Sequence, residues 1–246
     1  MKKLLLASAL FAFDSANALA QETLQADTAV ASSPAWISRH DLGRAAGAVS
    51  MVGLLSLADE RVAHGLQRQS LQSNHTLNNA ADAIQVAGDP GALLLSVSLF
   101  VVGKVAHRNG LANASLRSTE AIVASGALTQ LLKLSVGRGR PVVTHDSNAY
   151  VFHPFHGAQT NFNSFPSGHS TAAFAAATVF STEIRYAHPR AAKFTTPLLY
   201  GLATAVGTAR MYNDRHWLSD VVGGALIGHF VGRKITSRVA RQHHNQ

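Results

Sequence analysis

Six apolar stretches, residues 45–58, 91–103, 121–132, 170–182, 195–209 and 221–232, recur along this chain of 246 residues. Their apolar positions repeat at helical spacing, and none shows the alternation of a half-buried strand. Gly or Pro marks the breaks, at Asp89-Pro90, Asn109-Gly110, Gly137 to Pro141 and His188-Pro189. Helices patterned this way bury their apolar faces against one another. The expectation is an all-α protein, a single bundle of about six or more helices over residues 41–236. There is no cysteine, so no disulfide supports the core.

A membrane-crossing helix needs about 20 apolar residues, and 18 uncharged ones is the usual flag. No uncharged run reaches that length, and the mean hydropathy is only +0.09. The stretches are rich in Ala, Gly and Ser, which pack closely in soluble bundles and in membranes alike. The run lengths favour a periplasmic or secreted protein with a buried core; the alternative is an integral inner-membrane protein with a periplasm-facing site. Residues 1–20 read as a signal peptide: Lys2 and Lys3, an apolar stretch from Leu4 to Phe13, and the small-residue site Ala18-Leu19-Ala20. An uncleaved anchor is the competing reading. Residues 21–40 form a loose polar leader and 237–246 a basic polar tail.

Removing residues 1–20 leaves 19 basic and 12 acidic residues, and from Lys133 onward 12 basic face only 4 acidic. Such an excess suits an anionic substrate or an anionic membrane surface. Nucleic acid is excluded as a partner, because no interleaved aromatic-basic pattern or binding motif is present.

The stretch from Asn163 to Ser170 contains Pro166-Ser167-Gly168-His169 and runs straight into the small residues 171–177. Ser167 is a good N-cap, and Gly168 removes the side chain where a ligand has to approach. The free N–H groups of the first turn suit an anion such as phosphate, with His169 at its edge to deliver a proton. Alone, this is an ordinary helix start. Its company changes the reading: Lys133 and Arg140 lie upstream, Arg210, His216 and Asp220 downstream. Lys133, Arg140 and Arg210 together can neutralise a phosphate ester, the arginines by gripping two oxygens and the lysine as a point charge. Ser167 and Gly168 add neutral donors. His216 and Asp220 are four apart, one helical turn, so a carboxylate can orient the imidazole and leave its other nitrogen free to attack. Arg138 is a bystander candidate beside Arg140.

In order, these residues read K-x6-RP, PSGH and R-x5-H-x3-D. They resemble the three-part signature of the type 2 phosphatidic acid phosphatase (PAP2) superfamily, which also holds class A acid phosphatases and vanadium haloperoxidases. The resemblance covers roughly residues 120–233. It implies a phosphoric-ester hydrolase for a lipid-borne or soluble phosphomonoester or pyrophosphate. It also implies that His216 becomes phosphorylated, that His169 protonates the leaving alcohol, and that water hydrolyses the phosphohistidine. One position departs: Ala209 precedes Arg210, where the family usually has serine. A haloperoxidase is the alternative within enzymes, and a catalytically inactive membrane-surface binding protein is the alternative outside them.

No HExxH pattern or carboxylate-rich cluster occurs, so neither a metal nor another cofactor is expected. His229 faces a helix with no ligand partner nearby, and His243 and His244 lie near the C-terminus. Tyr150, Phe152, Phe155, Phe162 and Phe165, with His153 and His156, fill the segment between Pro141 and Pro166. That segment is either a roof over the site that selects substrate or an aromatic mini-core under a long loop.

Overall fold

The computed structural model describes residues 38–155 and 160–244, with side chains as far as residue 237. The expected signal peptide, the leader up to residue 37, and His156 fall outside these residues. The described residues contain ten α-helices: α1 Arg39–Ser56, α2 Asp59–Leu66, α3 Gln69–Gln72, α4 His75–Gln85, α5 Gly91–Val105, α6 Asn109–Val136, α7 Pro141–Thr144, α8 Gly168–Ala187, α9 Pro189–Tyr212 and α10 Leu218–His244. The only β-type pairing among the described residues is an isolated bridge between Arg138 and Phe152. The all-α expectation holds. Two compact units part after Ala45. In the first, Ser38 opens α1 by donating to Asp41 Oδ2 from its backbone N–H (2.9 Å) and its hydroxyl (2.7 Å). Everything below concerns the unit from Ala46 onward.

Five of the six apolar stretches lie wholly in long helices, namely α5, α6, α8, α9 and α10, and the first runs two residues past the end of α1. Helix α6 begins twelve residues before its apolar stretch, because Ala, Asn and Ser at its start satisfy a helix without lengthening an apolar run. It ends at Gly137, whose φ of 59° is left-handed. A Cβ there would lie 1.9 Å from the carbonyl oxygen of His153, so only glycine fits. Proline at the first position opens α7 and α9. Helix α10 continues to His244, past the boundary expected at 236.

Helix α8 is central, packed on α6, α9 and α10, while α5 packs on α6 and α4 on α9. Small residues let these helices approach. Gly224, Gly228 and Gly232 recur every four residues on α10 and face α8; a Cβ on Gly228 would sit 2.2 Å from the carbonyl oxygen of Thr171. The buried set is mostly Ala, Ser and Thr, including Ala121, Ala172, Ala175, Ala177 and Ala203. Hydroxyls join helices across it: Ser96 to Ser118 at 2.9 Å and Thr129 to Thr171 at 3.1 Å. The large apolar side chains are outside. Leu94, Val105, Val123, Leu131, Phe194, Leu198 and Leu202 are all more than half exposed. No single helix among the described residues is long and apolar enough to cross a membrane; the bent pair α1–α2, turning by 55°, passes that test together.

The helices alternate in direction, so the C-terminal ends of α4, α6 and α9 meet the N-terminal ends of α8 and α10. That end carries the site.

Candidate active site

Ser167 caps α8 from an extended backbone, its hydroxyl accepting from the Ser170 N–H at 3.4 Å and the Ser170 hydroxyl at 3.0 Å. Gly168 and His169 therefore supply the first N–H groups of α8, which no helix carbonyl can reach. The backbone of 137–140 and the returning segment 151–164 lie side by side: Gly139 N–H donates to Val151 O at 2.9 Å, Arg140 N–H to Asn161 O at 3.0 Å, and Ser164 N–H to Arg138 O at 3.0 Å. This pins Arg140 next to the start of α8. Lys133, one turn before the end of α6, donates to the carbonyl of Asn163, and Arg210 sits in the last turn of α9.

The cations crowd one another. Burial, then Arg140, pushes the Lys133 pKa down to about 8. Burial, then Arg140 and Arg215, pushes Arg210 down to about 10. His169 is pushed down to about 4 by burial and then by Arg210, Lys133 and Arg140. The Nε atoms of Arg140 and Arg210 are buried and have no hydrogen-bond partner. Such guanidinium groups are costly unless an anion meets them. A cavity of about 480 Å³ opens onto this cluster, lined by Asp82, Gln85, Arg140, Arg210, Asn213 and Arg215. Lys133, Ser167, Gly168, His169 and His216 are not among its lining residues, and Ser167 and His216 are buried.

His216 stands outside α10, in the turn before Leu218, so it and Asp220 do not share a helix as the spacing suggested. They are still neighbours. His216 Nδ1 lies 3.7 Å from Asp220 Oδ2, beyond a hydrogen bond, and is otherwise unpartnered. Burial above all pushes the His216 pKa down to about 3, with Asp220 opposing and Lys133 adding. The imidazole is therefore neutral. Asp220 is fully buried; its Oδ2 accepts from the Ser164 hydroxyl at 2.5 Å and the Trp217 N–H at 2.9 Å.

Arg138 is no bystander. It donates to Asp220 Oδ1 (2.8 Å), Ser219 Oγ (2.7 Å) and Asp59 Oδ2 (2.7 Å), and twice to the Ala149 carbonyl. Asp59, from α2, also accepts from Ser219 N–H at 2.8 Å and from its hydroxyl. This buried network clamps Asp220 in place. His229 also has partners: its Nδ1 lies 2.9 Å from the Tyr200 hydroxyl and 3.1 Å from Thr178 Oγ1, joining α8, α9 and α10 away from the site. Ala209 is buried and does not line the cavity. In the aromatic segment, Phe155 is 80% exposed and Tyr150 and Phe152 about half exposed, while the His153 and Phe162 rings meet tilted by 54° with centroids 4.3 Å apart. No cluster of three or more metal-binding side chains occurs among the described residues.

Residues 115–243, just over half of the chain, match the family described as the PAP2 superfamily. The chain belongs to that superfamily. It is 37% identical over 110 residues to a lipid A 1-phosphatase of Rhizobium johnstonii, covering 44% of this chain and 40% of that protein. A lipid A 1-phosphatase of Porphyromonas gingivalis is 42% identical over 73 residues, 30% of this chain and 16% of that one. The match thus spans about two fifths or less of these relatives' length. Among solved structures, it resembles a transmembrane PAP2-type phosphatidylglycerolphosphate phosphatase from Bacillus subtilis (TM-score 0.43, 20% identity, 79% of this chain and 96% of that one). It also resembles Aquifex aeolicus LpxE (TM-score 0.49, 21% identity, 73% and 94%).

Proposed function

We propose that this PAP2 protein is a phosphatase that removes a phosphate monoester from a membrane lipid, through a phosphohistidine on His216 and without metal. The observation that carries the reading is the cluster of Lys133, Arg140 and Arg210, with two guanidinium Nε atoms lacking any protein partner, facing a neutral, buried histidine. Lipid A 1-phosphate is the first substrate to try, because relatives sharing the matched region are named for it.

The chemistry follows from the geometry. Asp220 lies on the Nδ1 side of His216, favouring the tautomer with that nitrogen protonated and leaving Nε2 with a lone pair. Nε2 attacks phosphorus in line, the bond to the lipid oxygen breaks, and His169 gives that oxygen a proton. Burial and then the cations push the His169 pKa down; a bound dianion offsets the cations, so substrate binding favours uptake of a proton from solvent by His169. Water then attacks the phosphohistidine, losing a proton to His169, and inorganic phosphate leaves while His216 regains its lone pair.

The surface points to a membrane and away from the exported soluble form that run lengths favoured. Residues 94–105, 116–131 and 194–202 carry the large exposed side chains, while the interior is small and polar; this is the arrangement suited to surrounding acyl chains. Helix α6, with 28 residues, is about 42 Å long, enough for a hydrocarbon layer of about 30 Å. The end opposite the site exposes Lys104, Arg108, Arg185, Arg190 and Lys193, the side expected to face the cytoplasm. The site then faces the periplasm, and none of its groups lies in the lipid-facing segments.

Purified in detergent, the protein should release phosphate from lipid A in the presence of EDTA. Rapid quenching with labelled substrate should trap an acid-labile, base-stable phosphoenzyme that His216→Ala lacks. Turnover abolished by EDTA and restored by a divalent ion refutes the metal-free mechanism, and near-normal turnover by His216→Ala refutes the nucleophile. Release of the protein by alkaline carbonate washing refutes the membrane placement.

A further inference from the structure

The last turn of α4 and the turn after it reach the site from outside the matched residues 115–243. Gln85 is held at both ends. Its Oε1 accepts from Arg210 Nη1, and its Nε2 donates to Asp82 Oδ1 at 2.9 Å. Asn213 Nδ2 donates to the same Asp82 oxygen at 3.0 Å. A carboxamide suits this place: it fixes the guanidinium without neutralising it, so the charge stays available to phosphate. The Nε of Arg210 keeps no protein partner. Three residues on, Gly88 backs the other key side chain. A Cβ on Gly88 would fall 2.8 Å from both Cβ and Cδ2 of His169, so the bare backbone lies against the imidazole. Gly88 is buried. Two unrelated contacts from one short segment thus land on the phosphate-gripping arginine and on the proton donor.

We propose that residues 82–88 are a positioning segment for the reaction: Gln85, braced by Asp82 and Asn213, aims Arg210, and Gly88 sets the ring of His169. This rests on the phosphatase reading above. Each acts through the side chain it holds, Gln85 through Arg210 and Gly88 through His169. The two contacts predict different kinetic signatures. Losing the aim of Arg210 weakens phosphate in every substrate alike, whereas displacing His169 matters only where the leaving group needs a proton. A purely structural role for the segment gives neither pattern.

The experiment uses the full chain in detergent, with Gln85→Ala and Gly88→Ala. The dissociation constant for inorganic phosphate is measured by calorimetry, and kcat/KM for nitrophenyl phosphate and for an alkyl phosphate. Gln85→Ala should weaken inorganic phosphate about tenfold, the loss of one charge-assisted contact, and lower both esters in parallel. Gly88→Ala should leave the phosphate constant within about twofold. It should cost the alkyl ester about 10²-fold more than the nitrophenyl ester, the scale of a misplaced catalytic group. Unchanged phosphate affinity in Gln85→Ala, or equal losses on both esters in Gly88→Ala, overturns the corresponding assignment. A wild-type protein that releases phosphate from neither ester nor from lipid A refutes the phosphatase reading and, with it, the role of Gly88; the phosphate constant still decides that of Gln85.

Discussion

Arg138 offers the most demanding test of how the site is held together. Its side chain is 4% exposed, and both carboxylates it pairs with, Asp59 and Asp220, are fully buried. Arg138→Met keeps the length and apolar stem but takes away the one guanidinium that both carboxylates hydrogen-bond. Removing one partner from a buried ion pair costs about 3–5 kcal/mol, because a charge is left uncompensated. Two carboxylates push the cost toward the top of that range. Burial already raises the Asp59 pKa, however, so that group takes up a proton and limits the loss. About 4 kcal/mol is the expected outcome. For a chain of this size each kcal/mol moves Tm by roughly 2–4 °C, so the shift is about 8–16 °C.

Trp217 is the natural reporter. It is 1% exposed, its indole N–H donates to the Gly139 carbonyl at 2.9 Å, and the Arg138 guanidinium lies 5.6 Å from its ring. Thermal unfolding in detergent, followed by tryptophan fluorescence at a fixed scan rate, reads the shift directly. Asp59→Asn in the Arg138→Met background should recover part of the loss, because it removes one stranded charge while Asn can still accept from the Ser219 N–H. Melting of Arg138→Met within about 2 °C of wild type would refute the argument. So would strict additivity in the double variant.

Three other outcomes follow from the same structure. The folded pKa of His216 is pushed down to about 3 by burial, whereas an unfolded histidine titrates near about 6.5. Between those values the unfolded chain binds the extra proton, so stability falls as pH drops from about 6.5 toward 3; His216→Gln should flatten that slope in melts across pH. Gly228→Ala forces a methyl to within 2.2 Å of the Thr171 carbonyl and should cost at least about 1–3 kcal/mol. Gly126→Ala, on α6 with nothing within 4 Å, should be neutral or stabilising by up to about 1 kcal/mol in the same melts.

The cations and histidines of the site were legible because each sits in a short, ordered motif whose residues act within a few positions of one another. Asp59, Gln85 and Gly88 were not. Each is a single residue tens of positions upstream, of ordinary type, and only tertiary packing brings it to the site. Arg138 and Arg140 stand two apart in one Gly-Arg-Gly-Arg run; burial and partners, which spacing does not encode, separate the structural arginine from the one facing the cavity. The four-residue spacing of His216 and Asp220 implied a shared helix, but α10 starts between them at Leu218. The fold class was legible from periodicity. Which face of each helix points outward was not, because helical periodicity marks a distinct face without saying what solvent meets it. On the membrane reading proposed above, run length is a poor guide, because Ala, Gly and Ser dilute the hydropathy of helices whose exterior carries Leu, Val and Phe.

That exterior and the cation cluster meet in one place. Leu134 follows Lys133 on α6 and is 44% exposed; Val142, two residues after Arg140, is 46% exposed. Phe155, 80% exposed, is tied to the same turn by its N–H, which donates to the Leu134 carbonyl at 2.8 Å. Apolar side chains thus border the cation cluster on the side continuous with the outer face of α6, while Asp82, Gln85, Asn213 and Arg215 border it on the other. On the phosphatase reading, a soluble sugar phosphate or nucleotide uses only the polar border. A lipid phosphate uses both, keeping its chains against the bundle while the phosphorus reaches His216, so no apolar surface has to enter water. The juxtaposition of the two borders, more than the cations alone, makes a lipid the better fit.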